Sequence, residues 1–307
     1  MPLINRRNFF KLLAGLGLAA FGTGAYAVGV EPLLRLQTTR YRIHPAGWPD
    51  DLNLRLVVLA DIHACEPWMP VDRIEAICAH ANTLGGDAIL LLGDYVAGTN
   101  LVRRYVDAKD WGPALSRLKA PLGVHAVLGN HDWWEDRTAQ RKGAGPTIAH
   151  RALSSAGIPV YDNQAVPLQK DGHPFWIAGL ADQLALLPGR RYGRSRFTSL
   201  ADIGKMLSVV TDDAPIILMA HEPDIFPQIP KRIALTVSGH THGGQIRFFG
   251  YSPHVPSRFG ARYAYGHIVE DDRHLVVSGG LGCSIAPVRF GVPPEIVVID
   301  VNAPPIG

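Results

Sequence analysis

The sequence predicts an α/β protein in which a two-sheet β-sandwich is flanked by helices. Apolar strand-like segments alternate with helical segments in the first half of the chain, which is the pattern of βαβ units. In the second half, strand-like segments follow one another across short turns, which predicts antiparallel additions. With 307 residues, of which 47% are hydrophobic and 19% charged, the chain can bury a large core.

The first half of the chain alternates strands with helices. The expected strands are Leu54–Ala60, Ala88–Leu92 and Val124–Leu128. The second of them is wholly apolar, which suits burial on both faces of a sheet. A capping-box-like stretch, Asp72–Glu75, begins the first helix, whose apolar residues recur at helical spacing as far as Gly85. The other expected helices are a segment around Asp110–Leu118 and Thr147–Ala156.

The second half of the chain is dominated by strands. The expected strands are Val160–Tyr161, Ala165–Gln169, Phe175–Leu180, Pro215–Ala220, Ala234–Val237, His274–Ser278 and Glu295–Val301. An Asp171-Gly172 turn joins the second and third of these into a hairpin. One more helix is expected at Leu200–Val209.

The N-terminus has the pattern of an export signal or a membrane anchor. Arg6, Arg7 and Lys11 lie in a basic region before the uncharged stretch Leu12–Val30, and Ala25-Tyr26-Ala27 fits a cleavage site. The paired arginines followed by Phe-Phe-Lys resemble a twin-arginine signal, which implies the twin-arginine export machinery as a partner. An uncleaved anchor is the alternative, because the stretch is just long enough to span a bilayer.

These observations divide the chain into three parts and give its expected location. Residues 1–30 are the twin-arginine signal peptide or N-terminal anchor, residues 31–51 a linker with an edge strand at Thr39–Ile43, and residues 52–307 one domain. Export by the twin-arginine pathway predicts a periplasmic or inner-membrane-associated protein. The sequence leaves open whether the signal is cleaved.

Charge and cysteine content exclude two classes of protein. The first 27 residues hold three of the 30 basic residues and none of the 27 acidic ones, so the rest of the chain is neutral. Neutrality argues against a nucleic-acid partner. The three cysteines, Cys65, Cys78 and Cys283, are too few and too scattered for a disulfide framework, and we expect small buried hydrophobic side chains.

Five apolar strands end in residues that bind metals. The groups at these ends are Asp61, His63, Asp94, Asn130, His221, His240 and His242. Ligands of α/β sheets bind beyond the carboxyl ends of the strands, so these side chains are expected to meet there. His240 and His242 lie two residues apart, and an extended backbone places both rings on the same side.

The chemistry of these seven groups suits a pair of divalent metal ions. The absence of thiolates argues against structural zinc, and mixed imidazole and carboxylate ligands suit manganese, zinc or iron. Two such ions acidify a bridging water and clamp a phosphoryl group during in-line displacement. The sequence does not identify the metals.

The order of these motifs resembles the calcineurin-like metallophosphoesterase family. The matching blocks, in chain order, are Asp-x-His, Gly-Asp-x-x-x-Gly, Gly-Asn-His-Asp, a lone His after a strand, and Gly-His-x-His. The Gly-His-Thr-His-Gly-Gly-Gln form and the late Gly-Leu-Gly, Pro-Val-Arg-Phe and Pro-Glu-Ile stretches resemble the exported bacterial branch of that family. The resemblance implies the calcineurin-like fold for the domain at residues 52–307.

The resemblance also implies a role for each residue. Asp61, His63 and His242 would hold the first metal. Asn130, His221 and His240 would hold the second, and Asp94 would bridge the two ions. His131 would not be a ligand; it would protonate the leaving oxygen or stabilise the transition state, oriented by Asp61 or Asp132.

The implied function is that of a binuclear metal-dependent phosphoesterase. It would hydrolyse a phosphodiester or pyrophosphate bond with a metal-activated water in the cell envelope. Lipids and other components of the cell envelope are among the candidate phosphate-ester substrates. One alternative is an enzyme like the UDP-2,3-diacylglucosamine pyrophosphatase of lipid A synthesis, whose cytoplasmic substrate conflicts with the export signal. The other is an exported, non-catalytic metal- or envelope-binding protein, against which the complete ligand set argues.

Several other features carry weaker hypotheses. Trp133 and Trp134 either wall the site or pack in the core, and His254 and Cys283 are candidates for its surroundings. The arginine-rich loop Arg190–Arg196 is either a solvated surface or a second phosphate site. The sequence identifies neither the substrate nor the oligomeric state. The expected specificity loops are Val102–Trp111, Gln183–Thr198 and Phe248–Gly266.

Overall fold

The computed structural model describes residues 6–302 as a two-sheet sandwich flanked by helices, which confirms the predicted fold class. The strands are β1 (Gln37–Ile43), β2 (Leu54–Leu59), β3 (Cys65–Glu66), β4 (Ala88–Leu91), β5 (Arg104–Tyr105), β6 (Val124–Ala126), β7 (Gln164–Lys170), β8 (His173–Gly179), β9 (Ile216–Met219), β10 (Ile233–Ser238), β11 (Gly266–Glu270), β12 (Arg273–Val277) and β13 (Glu295–Val301). The helices are α1 (Arg6–Ala25), α2 (Glu31–Leu34), α3 (Val71–Thr83), α4 (Ala108–Leu115), α5 (Asn130–Trp134), α6 (Arg137–Lys142), α7 (Ile148–Ser155) and α8 (Ile203–Leu207).

The two large sheets each contain a parallel core. The first has the order β1-β13-β2-β4-β6, with β2, β4 and β6 mutually parallel. The second has the order β11-β12-β10-β9-β8-β7, with β8, β9, β10 and β12 parallel. Parallel strands have their carboxyl ends at the same edge of a sheet, so each sheet offers one edge for a site.

Alternating side chains divide the core into three layers. Leu56 and Val58 of β2 point between the two sheets, whereas Val57 and Leu59 point outward to the layer that contains α3, α4 and α7. On the second sheet, the outward face packs against α8 and the loop that follows β9. Both faces of these strands are therefore buried, as their continuous apolar sequences predict.

Some local predictions are wrong. Helix α3 begins at Val71 with Pro70 as its N-cap and no side-chain cap, so the expected capping box at Asp72 is absent. Pro70 has an extended backbone (φ −68°, ψ 165°), and the helix therefore starts two residues earlier than expected. Val160 makes a single isolated bridge to β6 and not a strand, because the chain turns away at once. Strand β11 and the short helices α5 and α6 were not expected, since each begins in a segment rich in loop-forming residues.

The N-terminal segment contacts the body of the protein only after α1. Every residue of α1 is exposed, and the stretch Arg6–Leu34 is the one helix among residues 6–302 that is long and apolar enough to span a membrane. After it, Ala27 is buried and its carbonyl accepts a hydrogen bond from the backbone of Arg289 (2.9 Å). Buried Glu31 accepts the backbone N–H of Val292 (2.8 Å). Residues 1–5 of the predicted signal or anchor and residues 303–307 of the predicted domain lie outside the described residues.

Candidate metal centre

The strand ends of both sheets bring the predicted ligands together. Asp61 and His63 follow β2, and Asp94 follows β4 in the same sheet. Asn130 and His131 begin α5 just after β6. His221 follows β9, and His240 and His242 follow β10. All seven side chains lie at one end of the sandwich, where the carboxyl edges of the two sheets meet.

The first group contains Asp61, His63 and His242, whose candidate ligand atoms all lie within 4.8 Å of one another. Nε2 of His63 lies 3.1 Å from Nε2 of His242. The same atom of His242 lies 3.7 Å from Oδ1 of Asp61. All three residues are buried, so two imidazole nitrogens and a carboxylate converge on one small, buried volume.

The second group contains Asp94, His221 and His240, with Asn130 beside them. Nε2 of His221 lies 3.3 Å from Oδ2 of Asp94, and Oδ1 of Asn130 lies 2.8 Å from Nδ1 of His240. Oδ2 of Asp94 is also 3.6 Å from Nε2 of His63. Asp94 therefore lies between the two groups.

The backbone at these positions is strained. Asp61, His63, Asp94, His240 and His242 all have a positive φ, between 47° and 68°. Such left-handed conformations are unfavourable for residues other than glycine and persist where the surrounding structure imposes them, often at functional sites. The prediction of an extended Gly-His-x-His segment is therefore wrong. The backbone turns at His240, and the rings of His240 and His242 lie in different groups.

Glycine is required at position 129, where the loop after β6 meets the loops that contain Asp94 and His221. A Cβ atom on Gly129 would lie 2.3 Å from Oδ1 of Asp94 and 2.6 Å from Cε1 of His221. Both distances are far below van der Waals contact. Gly129 therefore lets the loop after β6 approach Asp94 closely enough to place Asn130 and His131 beside it.

Hydrogen bonds orient two of the imidazoles toward the site. Nδ1 of His63 lies 2.8 Å from the carbonyl oxygen of Val96, and Nδ1 of His221 lies 2.6 Å from that of Leu92. A carbonyl only accepts, so Nδ1 carries the proton and Nε2 presents its lone pair to the site. Nε2 of His221 is buried and has no hydrogen-bond partner among the described residues. Such carbonyl-held imidazoles fit metal ligation.

The ionisation of the site also fits divalent cations. Burial lowers the pKa of His63 to about 4, and burial together with His63 holds the pKa of His242 well below its usual range, so both rings are neutral. Burial alone would raise the pKa of Asp94, but the imidazoles of His221 and His131 hold it well below its usual range. Burial alone would lower the pKa of His221, but the carboxylate of Asp94 holds it well above its usual range. Imidazole nitrogens around a buried carboxylate are the donor set that manganese, zinc or iron binds.

His131 faces the same pocket without belonging to either group. Its ring lies 5.2 Å from the ring of His63 and 5.0 Å from that of Trp134, and its Nε2 is 3.3 Å from Oγ of Ser284. Its Nδ1 has no hydrogen-bond partner among the described residues. The expectation that Asp61 or Asp132 orients His131 is therefore wrong. Its backbone N–H donates to Oδ1 of Asp94 (2.8 Å), which fixes the position of its Cα.

The pocket walls combine predicted and unpredicted residues. His254, Ser284 and Ile285 line it together with His131, Asp94 and Asn130. Trp134 separates it from a neighbouring cleft that also contains Phe197 and Arg258. Ser284 was missed by sequence reasoning because no motif marks it.

The hypotheses on the remaining residues have mixed outcomes. Trp134 lines the pocket, whereas Trp133 packs in the core. In the arginine-rich loop, Arg194 donates to the carbonyl oxygens of Leu187 and Gln140, which favours a structural role for that residue. The three cysteines are free and buried, as expected.

Comparison with known proteins identifies the family. The sequence profile of the calcineurin-like phosphoesterases matches residues 54–244, a range that contains all seven candidate ligands and His131. The chain belongs to the calcineurin-like phosphoesterase family. Members of this family use two metal ions, and the chain is a metal-dependent phosphoric ester hydrolase.

Two bacterial relatives of this phosphoesterase match nearly its whole length, and a vertebrate relative matches part of it. The metallophosphoesterase YkuE of Bacillus subtilis is 28% identical over 310 residues, which cover 99% of each chain. Phosphodiesterase YaeI of Escherichia coli is 26% identical over 312 residues, 97% of this chain and 99% of that protein. A zebrafish (Danio rerio) transmembrane protein with a metallophosphoesterase domain is 32% identical over 208 residues, 64% of this chain and 42% of its own.

Two buried charged residues support the metal centre of this phosphoesterase. Arg289 is fully buried and donates to the carbonyl oxygens of Gly279, Gly282 and Val292, while its Nη2 lies 3.2 Å from Nδ1 of His242. The sequence marked Arg289 only as part of a family-like stretch, without a role.

Asp132 is the second support. It accepts backbone N–H groups from Gly129 (2.9 Å), Asp94 (2.8 Å), Tyr95 (2.9 Å) and Val96 (3.2 Å). One carboxylate therefore ties the loop after β4 to the loop after β6, and so sets Asp94 relative to Asn130. Sequence reasoning gave Asp132 a different role because a motif does not reveal backbone partners.

Replacing Asp132 tests this tie. In Asp132→Asn, an amide NH2 faces backbone donors that need an acceptor, so we expect metal affinity to fall about 10- to 100-fold, as for other residues that orient ligands. Metal titration monitored by calorimetry measures the change. Asp202→Asn, which alters an N-cap of α8 away from the site, is the control and should leave metal affinity unchanged. Equal affinities in Asp132→Asn and the wild type would contradict the assigned role.

Proposed function

We propose that this chain hydrolyses a phosphodiester or pyrophosphate bond at a centre of two divalent ions. The observation that carries the proposal is the position of Asp94 between the two ligand groups, 3.6 Å from His63 on one side and 3.3 Å from His221 on the other. One carboxylate in contact with both groups suits two ions that share a ligand. The name of YaeI, a phosphodiesterase, supports the choice of ester.

The proposed ligand assignment follows the two groups. Asp61, His63 and His242 hold one ion; Asn130, His221 and His240 hold the other; and Asp94 bridges them. When bound, two such ions supply an acidified water and stabilise charge on the phosphoryl oxygens. Manganese, zinc and iron all suit this donor set.

His131 is proposed as the group that acts on the leaving oxygen. Its ring lies at the pocket surface, with a side-chain exposure of 12%, whereas the side chain of His63 behind it is fully buried. A ring in this position reaches a substrate oxygen without being a ligand. It would donate a proton as the ester bond breaks, or stabilise the charge that develops there.

The proposal is tested by assaying metal-depleted protein after adding back single metals. With Mn²⁺ and bis-p-nitrophenyl phosphate, we expect metal-dependent turnover at a stoichiometry of two ions per chain. Two bound ions without turnover on any phosphodiester, nucleotide sugar or phospholipid would instead favour the non-catalytic binding protein. Preferred turnover of UDP-2,3-diacylglucosamine would favour the lipid A alternative.

The N-terminal helix supports a location in the cell envelope. Arg6, Arg7 and Lys11 lie at one end of the apolar stretch and the phosphoesterase domain at the other, and by the positive-inside rule this arrangement favours a domain outside the cytoplasm. We propose twin-arginine export, with residues 1–30 as the signal or anchor, residues 31–51 as the connection and residues 52–307 as the domain. Retention of α1 is favoured because cleavage after Ala27 would remove the carbonyl that Arg289 contacts.

Charge-preserving substitution separates a twin-arginine signal from a generic basic region. In Arg6→Lys/Arg7→Lys, the charge and helix propensity stay, but the receptor-read arginine pair is lost. We expect the variant to accumulate in the cytoplasm of a bacterial host with a twin-arginine pathway, as measured by cell fractionation. Arg40→Lys/Arg42→Lys in β1 is the control and should be exported. Normal export of both variants would exclude the twin-arginine route, and the mass of the exported wild type reports whether α1 is retained.

A further inference from the structure

A turn with exposed aromatic side chains projects from the second half of the chain. The turn, called here the aromatic tip, comprises Phe248–Tyr251 and is closed by hydrogen bonds between Phe248 and Tyr251 in both directions (2.8 and 2.9 Å). The exposures of Phe248, Phe249 and Tyr251 are 46%, 109% and 65%. Three aromatic side chains in water on one four-residue turn are unfavourable unless another phase covers them.

The aromatic tip lies beside the exit of helix α1. The ring of Phe248 is 4.9 Å from that of Phe290, and the ring of Phe290 is 6.1 Å from that of Tyr26. Tyr26 directly follows the 20 residues of α1, none of which is buried. A helix of this length spans about 30 Å, the thickness of a bilayer's hydrocarbon core. The tip is thus continuous with the end of the one described segment that fits a membrane.

One basic residue at the tip is free to meet a lipid surface. Arg247 precedes Phe248, forms no ion pair with a described Asp or Glu, and has its guanidinium 5.1 Å from the ring of Tyr265. Arg258 and Arg262 are paired with Asp224 and Glu270, so they add little net charge. Aromatic rings beside a basic residue favour the interface of a bilayer. Together with the membrane-length helix next to the tip, this points to a lipid surface as the occupant.

The tip is joined directly to the pocket that contains His131. Arg247 donates its N–H to the carbonyl of Phe290 (2.7 Å), and Phe290 donates to that of Gln245 (2.8 Å). Gln245 accepts the N–H of Ser284 (2.6 Å), and both side chains line the pocket. Ile285 at the mouth of the pocket is 68% exposed. A chain of hydrogen bonds therefore links the tip to the pocket wall at Gln245 and Ser284.

From this continuity we infer that the aromatic tip inserts into the bilayer that α1 enters and that the pocket receives the phosphoester headgroup of a membrane amphiphile. The statement about the substrate rests on the proposed phosphoesterase function, whereas insertion of the tip does not. The lipid's apolar chains would remain at the bilayer, and the ester bond would reach the metal centre beside Ser284 and Ile285.

Site-specific labelling tests insertion independently of catalysis. The native cysteines are buried, so Phe249→Cys is labelled selectively with an environment-sensitive fluorophore in the full-length protein. On reconstitution into vesicles of phosphatidylcholine and phosphatidylglycerol, we expect a blue shift and quenching by brominated lipid chains. Val209→Cys is the matched control, since Val209 is 43% exposed and follows α8, which contacts the edge strand β7.

Two outcomes of the labelling experiment would overturn insertion. The first is an emission at position 249 in vesicles that equals the emission of the Val209→Cys control, with no quenching by brominated lipid chains. The second is a shift that depends on protein concentration and not on lipid, which would make the tip a contact between copies of the chain.

Kinetics test the statement about the substrate. In Phe249→Glu, a charge opposes insertion, so kcat/KM for a phosphodiester with acyl chains in vesicles should fall about tenfold, which is 1.4 kcal/mol. Turnover of soluble bis-p-nitrophenyl phosphate should not change, and Val209→Glu should change neither. Equal effects of Phe249→Glu on both substrates would overturn the membrane-amphiphile assignment. If the wild-type protein hydrolysed neither substrate, the phosphoesterase proposal would be contradicted, whereas the labelling result on insertion would still stand.

Discussion

Replacing Asp94 with asparagine is expected to reduce kcat/KM by at least about 10³-fold, because the carboxylate between the two ligand groups is lost. An amide is neutral and a weaker ligand, so it balances less of the charge of two nearby cations. Asp94 is buried and lies 3.3 Å from His221 and 3.6 Å from His63, a position in contact with both ligand groups. We expect the metal content, measured by mass spectrometry, to fall below two ions per chain.

The control for Asp94→Asn is Asp300→Asn. Asp300 is also largely buried and pairs with Arg55 (2.5 Å), but it lies where β13 meets the beginning of β2, at the opposite end of the strand from Asp61. This variant should keep both metals and full turnover. If Asp94→Asn retained two ions and activity similar to that of Asp300→Asn, Asp94 would not be the shared ligand.

Replacing His131 with alanine is expected to separate metal binding from catalysis. The variant keeps the backbone N–H that donates to Asp94, and the ring of His131 belongs to neither ligand group, so both ions should stay bound. Turnover should fall about 10²- to 10⁴-fold for esters with poor leaving groups, since proton donation contributes that much. The loss should be smaller for p-nitrophenyl esters, whose leaving group needs little protonation.

This dependence on the leaving group distinguishes proton donation from a structural effect. A collapsed pocket would slow all substrates equally. His150→Ala is the control, because His150 is half-buried on α7 and faces Asp162 (3.6 Å), away from the ligands. Full activity of His131→Ala on alkyl phosphodiesters would refute the assigned role, and loss of bound metal would make His131 part of the centre's support.

The strand ends show how much of the fold and of the candidate metal centre can be predicted from local sequence. Apolar runs such as Ala88–Leu91 and Ile216–Met219 are recognisable from composition, and they are buried on both faces in the structure. The polar residue that follows each of them is then placed by a general rule about parallel sheets. The fold class and the convergence of the candidate ligands could therefore be predicted before any coordinates were known.

Contacts between distant parts of the chain could not be predicted in the same way. His240 and His242 point to different groups because a positive φ turns the chain, and neighbours far away in the sequence impose that turn. Asp132 was expected to orient His131 but binds four backbone N–H groups. A motif specifies residue types, whereas the partner of a carboxylate depends on which loops the fold brings near it.

By itself, the sequence determined the layered α/β architecture, the residues available as metal ligands and the apolar, basic-flanked N-terminus. These properties follow from local periodicity and from the chemistry of individual side chains, which do not depend on long-range packing. Only the tertiary structure decided the grouping of the ligands around Asp94, the burial of Arg289 behind His242 and the position of Phe248–Tyr251 beside Tyr26. Each of these joins residues more than 30 positions apart, and such contacts form only when the two sheets pack and bring their edges together.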